Sequence, residues 1–124
     1  MARKFKKKYS ISNELKERTF NFAISILELA AELPNTDEAI IVRRQLCKSG
    51  TSVGANVEEA DGSLTLNDFV YRVDVAFKEA KETRYWLCVV VYRKLLVQSI
   101  VQPHLDESLE LIKILSTIIY KCLK

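Results

Sequence analysis

The sequence predicts an all-α chain folded as an up-down-up-down four-helix bundle. Apolar residues recur at steps of three and four along four long segments. Only three glycines and two prolines interrupt 124 residues, which argues against an all-β or disordered chain. The breaks between segments are short, and short breaks join antiparallel neighbours. Hydrophobic content of 48% is enough for the core of one domain. The expected division is a basic arm over residues 1–11 and a bundle domain over residues 12–124.

The first helix is expected from Asn13 to Leu33, with Ser12 or Asn13 as N-cap. Leu15, Phe22, Ile26, Leu29 and Leu33 form its core ridge, widened by Ala23, Ile24, Leu27, Ala30 and Ala31. Pro34 stops it, because a proline disfavours helix at the residue before it. The second helix follows Asn35-Thr36, places Asp37 and Glu38 in its first turn, and ends near Asp61 at Gly62. Gly50 and Gly54 lie inside it, each costing about 1 kcal/mol against Ala. Close approach of another backbone is the expected compensation.

Thr65-Leu66-Asn67-Asp68 has the spacing of a capping box and opens a third helix, expected from Asn67 to Ser99. Phe69, Val73, Ala76, Ala80, Leu87, Val91 and Leu95 make one ridge. Phe77, Trp86, Val89, Val90 and Tyr92 add apolar surface on other faces, an excess that predicts contact with a second subunit. The fourth helix is expected to start near Pro103, with Asp106 and Glu107 in its first turn and Lys121 and Lys124 in its last. Leu105, Leu109, Ile112, Leu115 or Ser116, Ile119 and Leu123 are its expected ridge.

Gln45, Ser49, Ser52, Asn56 and Glu59 follow one another at steps of 4, 3, 4 and 3 and share one stripe of the second helix. Uncharged polar residues in such a row suit close contact with another helix. Arg72, Glu79, Glu82, Thr83 and Trp86 lie on or near one face of the third helix and meet this stripe if the two helices are antiparallel. The set is expected to be a polar network that fixes register or subunit contact. Trp86 is also a candidate interface anchor. Neither a nucleophile–base pair nor a phosphate loop accompanies the acids, so no catalytic residues are assigned. The one histidine, His104, is remote from Ser49 and Ser52 and from the acids, and no Glu-x-x-His occurs. Cys47, Cys88 and Cys122 are scattered, so neither a metal site nor a cofactor is expected.

Charge is unevenly spread. Arg3, Lys4, Lys6, Lys7 and Lys8 crowd residues 1–8 without an acid, while the rest holds 14 basic and 16 acidic residues. Five clustered cations can contact phosphates of RNA or DNA, and Phe5 and Tyr9 can stack on bases. No run of eighteen apolar residues exists, which excludes a spanning helix, and no apolar core follows the basic start. A reducing cytoplasm is the expected setting.

The stretches Gln45-Leu46-x-x-Ser49, Ser52-Val53-Gly54-Ala55-Asn56-Val57-Glu58-Glu59-Ala60, Asp68-Phe69, Ala76-x-Lys78-Glu79-Ala80-x-Glu82-Thr83 and Tyr85-Trp86-Leu87 together resemble a bacterial family. These are the four-helix bundle proteins of 23S ribosomal RNA intervening sequences. The resemblance covers roughly Leu15 to Leu123 and leaves the basic arm outside. It implies a ring-like homopentamer. It extends to the accessory variability determinant of diversity-generating retroelements, a pentamer that binds nucleic acid and associates with a reverse transcriptase. It implies no catalytic residues. The near-neutral body of this chain departs from the basic ring expected of a nucleic-acid binder. The expectation is therefore a non-enzymatic oligomeric accessory protein that touches RNA or DNA, with a ribosomal component or a reverse transcriptase as the candidate partner. The alternative is a protein–protein scaffold or adaptor that touches no nucleic acid.

Overall fold

A computed structural model describes residues 9–123. Four helices follow in order, α1 (Asn13–Ala31), α2 (Asp37–Asp61), α3 (Leu66–Tyr92) and α4 (Gln98–Cys122). Three of the four start on a side-chain cap. Ser12 accepts from the Leu15 amide at 3.0 Å, Thr36 from Ala39 at 3.3 Å and Thr65 from Asp68 at 3.1 Å. Each cap satisfies an amide that the helix itself leaves unpaired.

Consecutive helices pack antiparallel, and their cross-links record it. Lys16 near the start of α1 meets Asp61 at the end of α2 at 2.8 Å. At the opposite end, Arg43 of α2 donates to the carbonyls of Ala30 and Leu33 at 3.1 and 2.7 Å, closing the C-terminus of α1. Arg93 after α3 forks onto Glu38 of α2 at 2.8 and 3.1 Å, and this bond holds the Glu38 carboxyl below its ordinary range. The core between them contains Ile26 and Leu29, Leu46, Val53 and Val57, Phe69, Val73 and Leu87, and Leu111 and Leu115. Burying each side chain of this size contributes about 1.5–3 kcal/mol. α3 touches both α2 and α4 extensively, so part of its apolar excess is spent inside the chain. α1 and α4 meet sparsely, and Arg18 bridges that seam by a two-pronged bond to Glu107 at 3.0 and 2.6 Å.

Several boundaries differ from the sequence expectation. α1 stops at Ala31, two residues short of Leu33, because Glu32 and Leu33 tighten into bonds to Leu29 and Ala30. Gly62 does end α2, but at φ −88°, so its left-handed freedom is not used. Tyr9 and Ile11, assigned to the arm, pack on the bundle.

The largest error lies at the α3–α4 junction. α3 ends at Tyr92 rather than Ser99. Lys94 adopts φ 55°, its amide bonds Val91 O, and the Leu95 amide bonds Val90 O, both at 3.0 Å. This is a Schellman stop with lysine where glycine is usual. α4 then begins at Gln98, so Pro103 is interior and Asp106 and Glu107 are not in the first turn. The buried ridge of α4 is Val101, Ser108, Leu111 and Leu115, which leaves Leu109 and Leu123 exposed. Lys94→Gly should stabilise the protein by about 0.5–1 kcal/mol. It removes about 1–2 kcal/mol of left-handed strain but restores chain freedom on unfolding. Urea denaturation checks this, and equal midpoints would contradict it.

Candidate functional site

Two features stand out on the α2 surface, a polar seam toward α3 and an apolar groove toward α1. The seam is built from helix spacing. Gln45, Ser49, Ser52 and Asn56 recur on one stripe of α2, and Ser49 and Asn56 of that stripe meet Thr83 and Arg72 of α3. At its centre Ser49 and Thr83, both fully buried, bring their hydroxyls to 2.9 Å. Each hydroxyl also reaches a carbonyl of its own helix, Gln45 O at 2.9 Å and Glu79 O at 2.8 Å. Toward one end, Arg72 donates to Asn56 Oδ1 at 3.2 Å and stands 3.7 Å from the Glu59 carboxylate. Toward the other, Trp86 Nε1–H donates to Glu82 Oε2 at 3.3 Å.

The structure joins Ser49 to Thr83, and Asn56 and Glu59 to Arg72, while the bond it gives Trp86 is to Glu82 of the same helix. Ser49 with Thr83 and Asn56 with Arg72 join the two helices of one chain. Ser49 is therefore part of the intrachain packing and is not a subunit contact. Gln45 takes part through its carbonyl, Ser52 bonds Lys48 O at 2.7 Å, and Asn56 Nδ2 donates to Ser52 O at 2.8 Å. These side chains serve the backbone, as short polar groups inside helices do. Burial, then the Glu82 charge, raises the Glu79 carboxyl above its ordinary value, while Lys48 opposes the shift. Chemically the seam fixes the register of α2 on α3. Its hydroxyls face carbonyls and each other, and His104 sits on α4, half-buried, with Nδ1 unpaired among the described residues. Arg3, Lys4, Lys6, Lys7 and Lys8 lie outside the described residues.

The groove was not anticipated. Phe20, Ala23, Ile24 and Leu27 of α1 form one wall, and Thr51, Gly54 and Ala55 of α2 form the other. It holds about 670 Å³, with Lys16, Glu17 and Glu58 at its rim. Phe20 is 65% exposed, and Ile24 and Leu27 are exposed too. The sequence signal was present, since Phe20, Ile24 and Leu27 follow at steps of 4 and 3 beside the core ridge. Small residues on α2 keep the groove open.

The model for the family described as 23S rRNA-intervening sequence protein matches residues 11–117. The chain belongs to this family. A crystal structure of a protein with unknown function from the S23 ribosomal protein family, from Bacteroides thetaiotaomicron VPI-5482, is similar at 32% identity. The match covers 85% of this chain and 97% of that one, with a TM-score of 0.80. No curated protein matches the chain. The family match includes the whole seam and the whole groove and leaves the five cations of the arm outside. Among the described residues no helix is long and apolar enough to cross a membrane.

Proposed function

We propose that this member of the 23S rRNA-intervening sequence family is a non-enzymatic, self-associating accessory protein that contacts RNA or DNA through Arg3, Lys4, Lys6, Lys7 and Lys8. The observation that carries the reading is an open apolar groove on a nearly neutral body. Phe20 at 65% exposure stands on the surface where a soluble monomer normally keeps its large rings covered. A second copy of the chain is the proposed occupant, and a closed ring of five in the cytoplasm is the assembly that the family resemblance favours. The body has 14 basic against 16 acidic residues, so phosphate contact is assigned to the arm.

Two measurements test this. Sedimentation velocity of the whole chain should give an oligomer, and Phe20→Glu, which puts a charge in the groove, should give a folded monomer. Binding of the whole chain to duplex DNA should fall about 500-fold between 50 and 200 mM salt if five phosphates are contacted. Removing residues 2–8 should abolish that dependence. A wild-type monomer overturns the assembly, and equal binding by both forms overturns the role of the arm. Stoichiometric capture of one protein in the presence of nuclease, without nucleic-acid binding, would establish a protein scaffold instead.

A further inference from the structure

The outer face of α3 carries Tyr71, Lys78, Lys81, Tyr85 and Tyr92 at steps of 7, 3, 4 and 7, one stripe on a helix. The three rings are 60%, 61% and 87% exposed. Over about 32 Å of helix, one tyrosine, two lysines and two further tyrosines therefore follow one another in the open. We infer that this stripe is a binding surface for single-stranded nucleic acid, with the tyrosines stacking unpaired bases and the lysines meeting phosphates.

The residue types narrow the partner. Tyrosine alone suits a protein interface as well as a nucleic acid. Lysine does not, because it is depleted where proteins bury one another, whereas phosphates recruit it. Duplex DNA keeps its base faces stacked internally, so rings standing off a helix find them only on a single strand. The side chains are also braced. The Tyr85 ring meets Trp86 edge-on at 5.0 Å, and Trp86 is tied to Glu82. The Lys81 ammonium rests 5.3 Å from the Phe77 ring, and the Arg72 guanidinium 5.4 Å from that of Tyr71. Asp74 shares the stripe and pairs with Lys78 at 3.2 Å, a contact that a phosphate must displace. The stripe begins at the end of α3 where Tyr9 packs on Phe69.

The inference rests on the nucleic-acid reading above but assigns a different surface and strand state, so the test separates them. Oligouridylate, oligothymidylate and duplex DNA would be titrated onto four proteins. These are the whole chain, the chain without residues 2–8, the triple variant Tyr71→Ala, Tyr85→Ala, Tyr92→Ala, and Lys78→Ala with Lys81→Ala. Thermal unfolding would confirm that each is folded. The triple variant should bind single strands at least tenfold more weakly while its duplex binding is unchanged. The lysine pair should flatten the single-strand salt slope by about 1.4. Undiminished single-strand binding by the triple variant overturns the stripe. If the truncated chain also loses binding, the reading of the arm survives that failure. Absence of binding by the whole chain to every probe overturns both.

Discussion

Phe69→Ala should remove about 3–5 kcal/mol of stability. Phe69 is 1% exposed, in the first turn of α3. Its ring lies 4.9 Å from that of Tyr9, and both border a small pocket with Ile118 and Cys122 of α4. One side chain therefore ties the N-terminal segment, α3 and α4 together. Truncation leaves a cavity beneath Tyr9 that helical backbones on either side cannot close. A domain of this size is held by about 5–15 kcal/mol, so the loss is a large share. The melting temperature should fall by about 10–20 °C. Phe69→Leu, which keeps most of the volume, should cost below about 1.5 kcal/mol. Melting must be compared at one protein concentration, because self-association adds to apparent stability. An alanine variant that melts with the wild type would mean that Tyr9 and Phe69 do not pack in solution.

What the sequence revealed about the fold follows the range of each interaction. Ser12, Thr36 and Thr65 were readable as helix starts because a cap bonds an amide three residues away. The stop at Lys94 was not, since nothing in a lysine announces a left-handed residue and the run Val89-Val90-Val91 continues the helical pattern. Pro103 misled for a related reason. Proline favours the first turn, but α4 is long enough to tolerate one missing amide at its sixth residue.

The candidate site was half legible. Periodicity placed Gln45, Ser49, Ser52, Asn56 and Glu59 on one stripe, but polarity did not tell which way it faced. A serine can satisfy its hydroxyl on the carbonyl four residues back, so Ser49 is buried without penalty beside Thr83. The groove escaped because an apolar residue at helical spacing does not declare whether its neighbour belongs to the same chain. Ile24 and Leu27 looked like core, and the structure leaves them exposed.

Gly50→Ala should destabilise the protein by up to about 2 kcal/mol, although alanine is the better helix former by about 1 kcal/mol. A Cβ at Gly50 would lie 2.7 Å from Ile26 Cγ2 and 3.0 Å from Ile26 Cβ. Ile26 is fully buried and β-branched, so no rotamer change carries Cγ2 away without bringing another branch toward the new methyl. Because Cβ itself is close, α1 has to move off α2. A few residues along, Gly54 blocks an easy slide, since a Cβ there would already sit 3.1 Å from the Thr19 carbonyl oxygen. Overpacking of this kind costs about 1–3 kcal/mol and outweighs the propensity gain. In urea the midpoint should fall with an unchanged slope. The decisive comparison uses Ile26→Ala, which deletes the clashing branches. In that background Gly50→Ala should lose most of its cost, giving a coupling between the two sites of about 0.5–3 kcal/mol. Equal costs in both backgrounds would show that α1 is not held against Gly50, and the glycines of α2 would need another reason to be there.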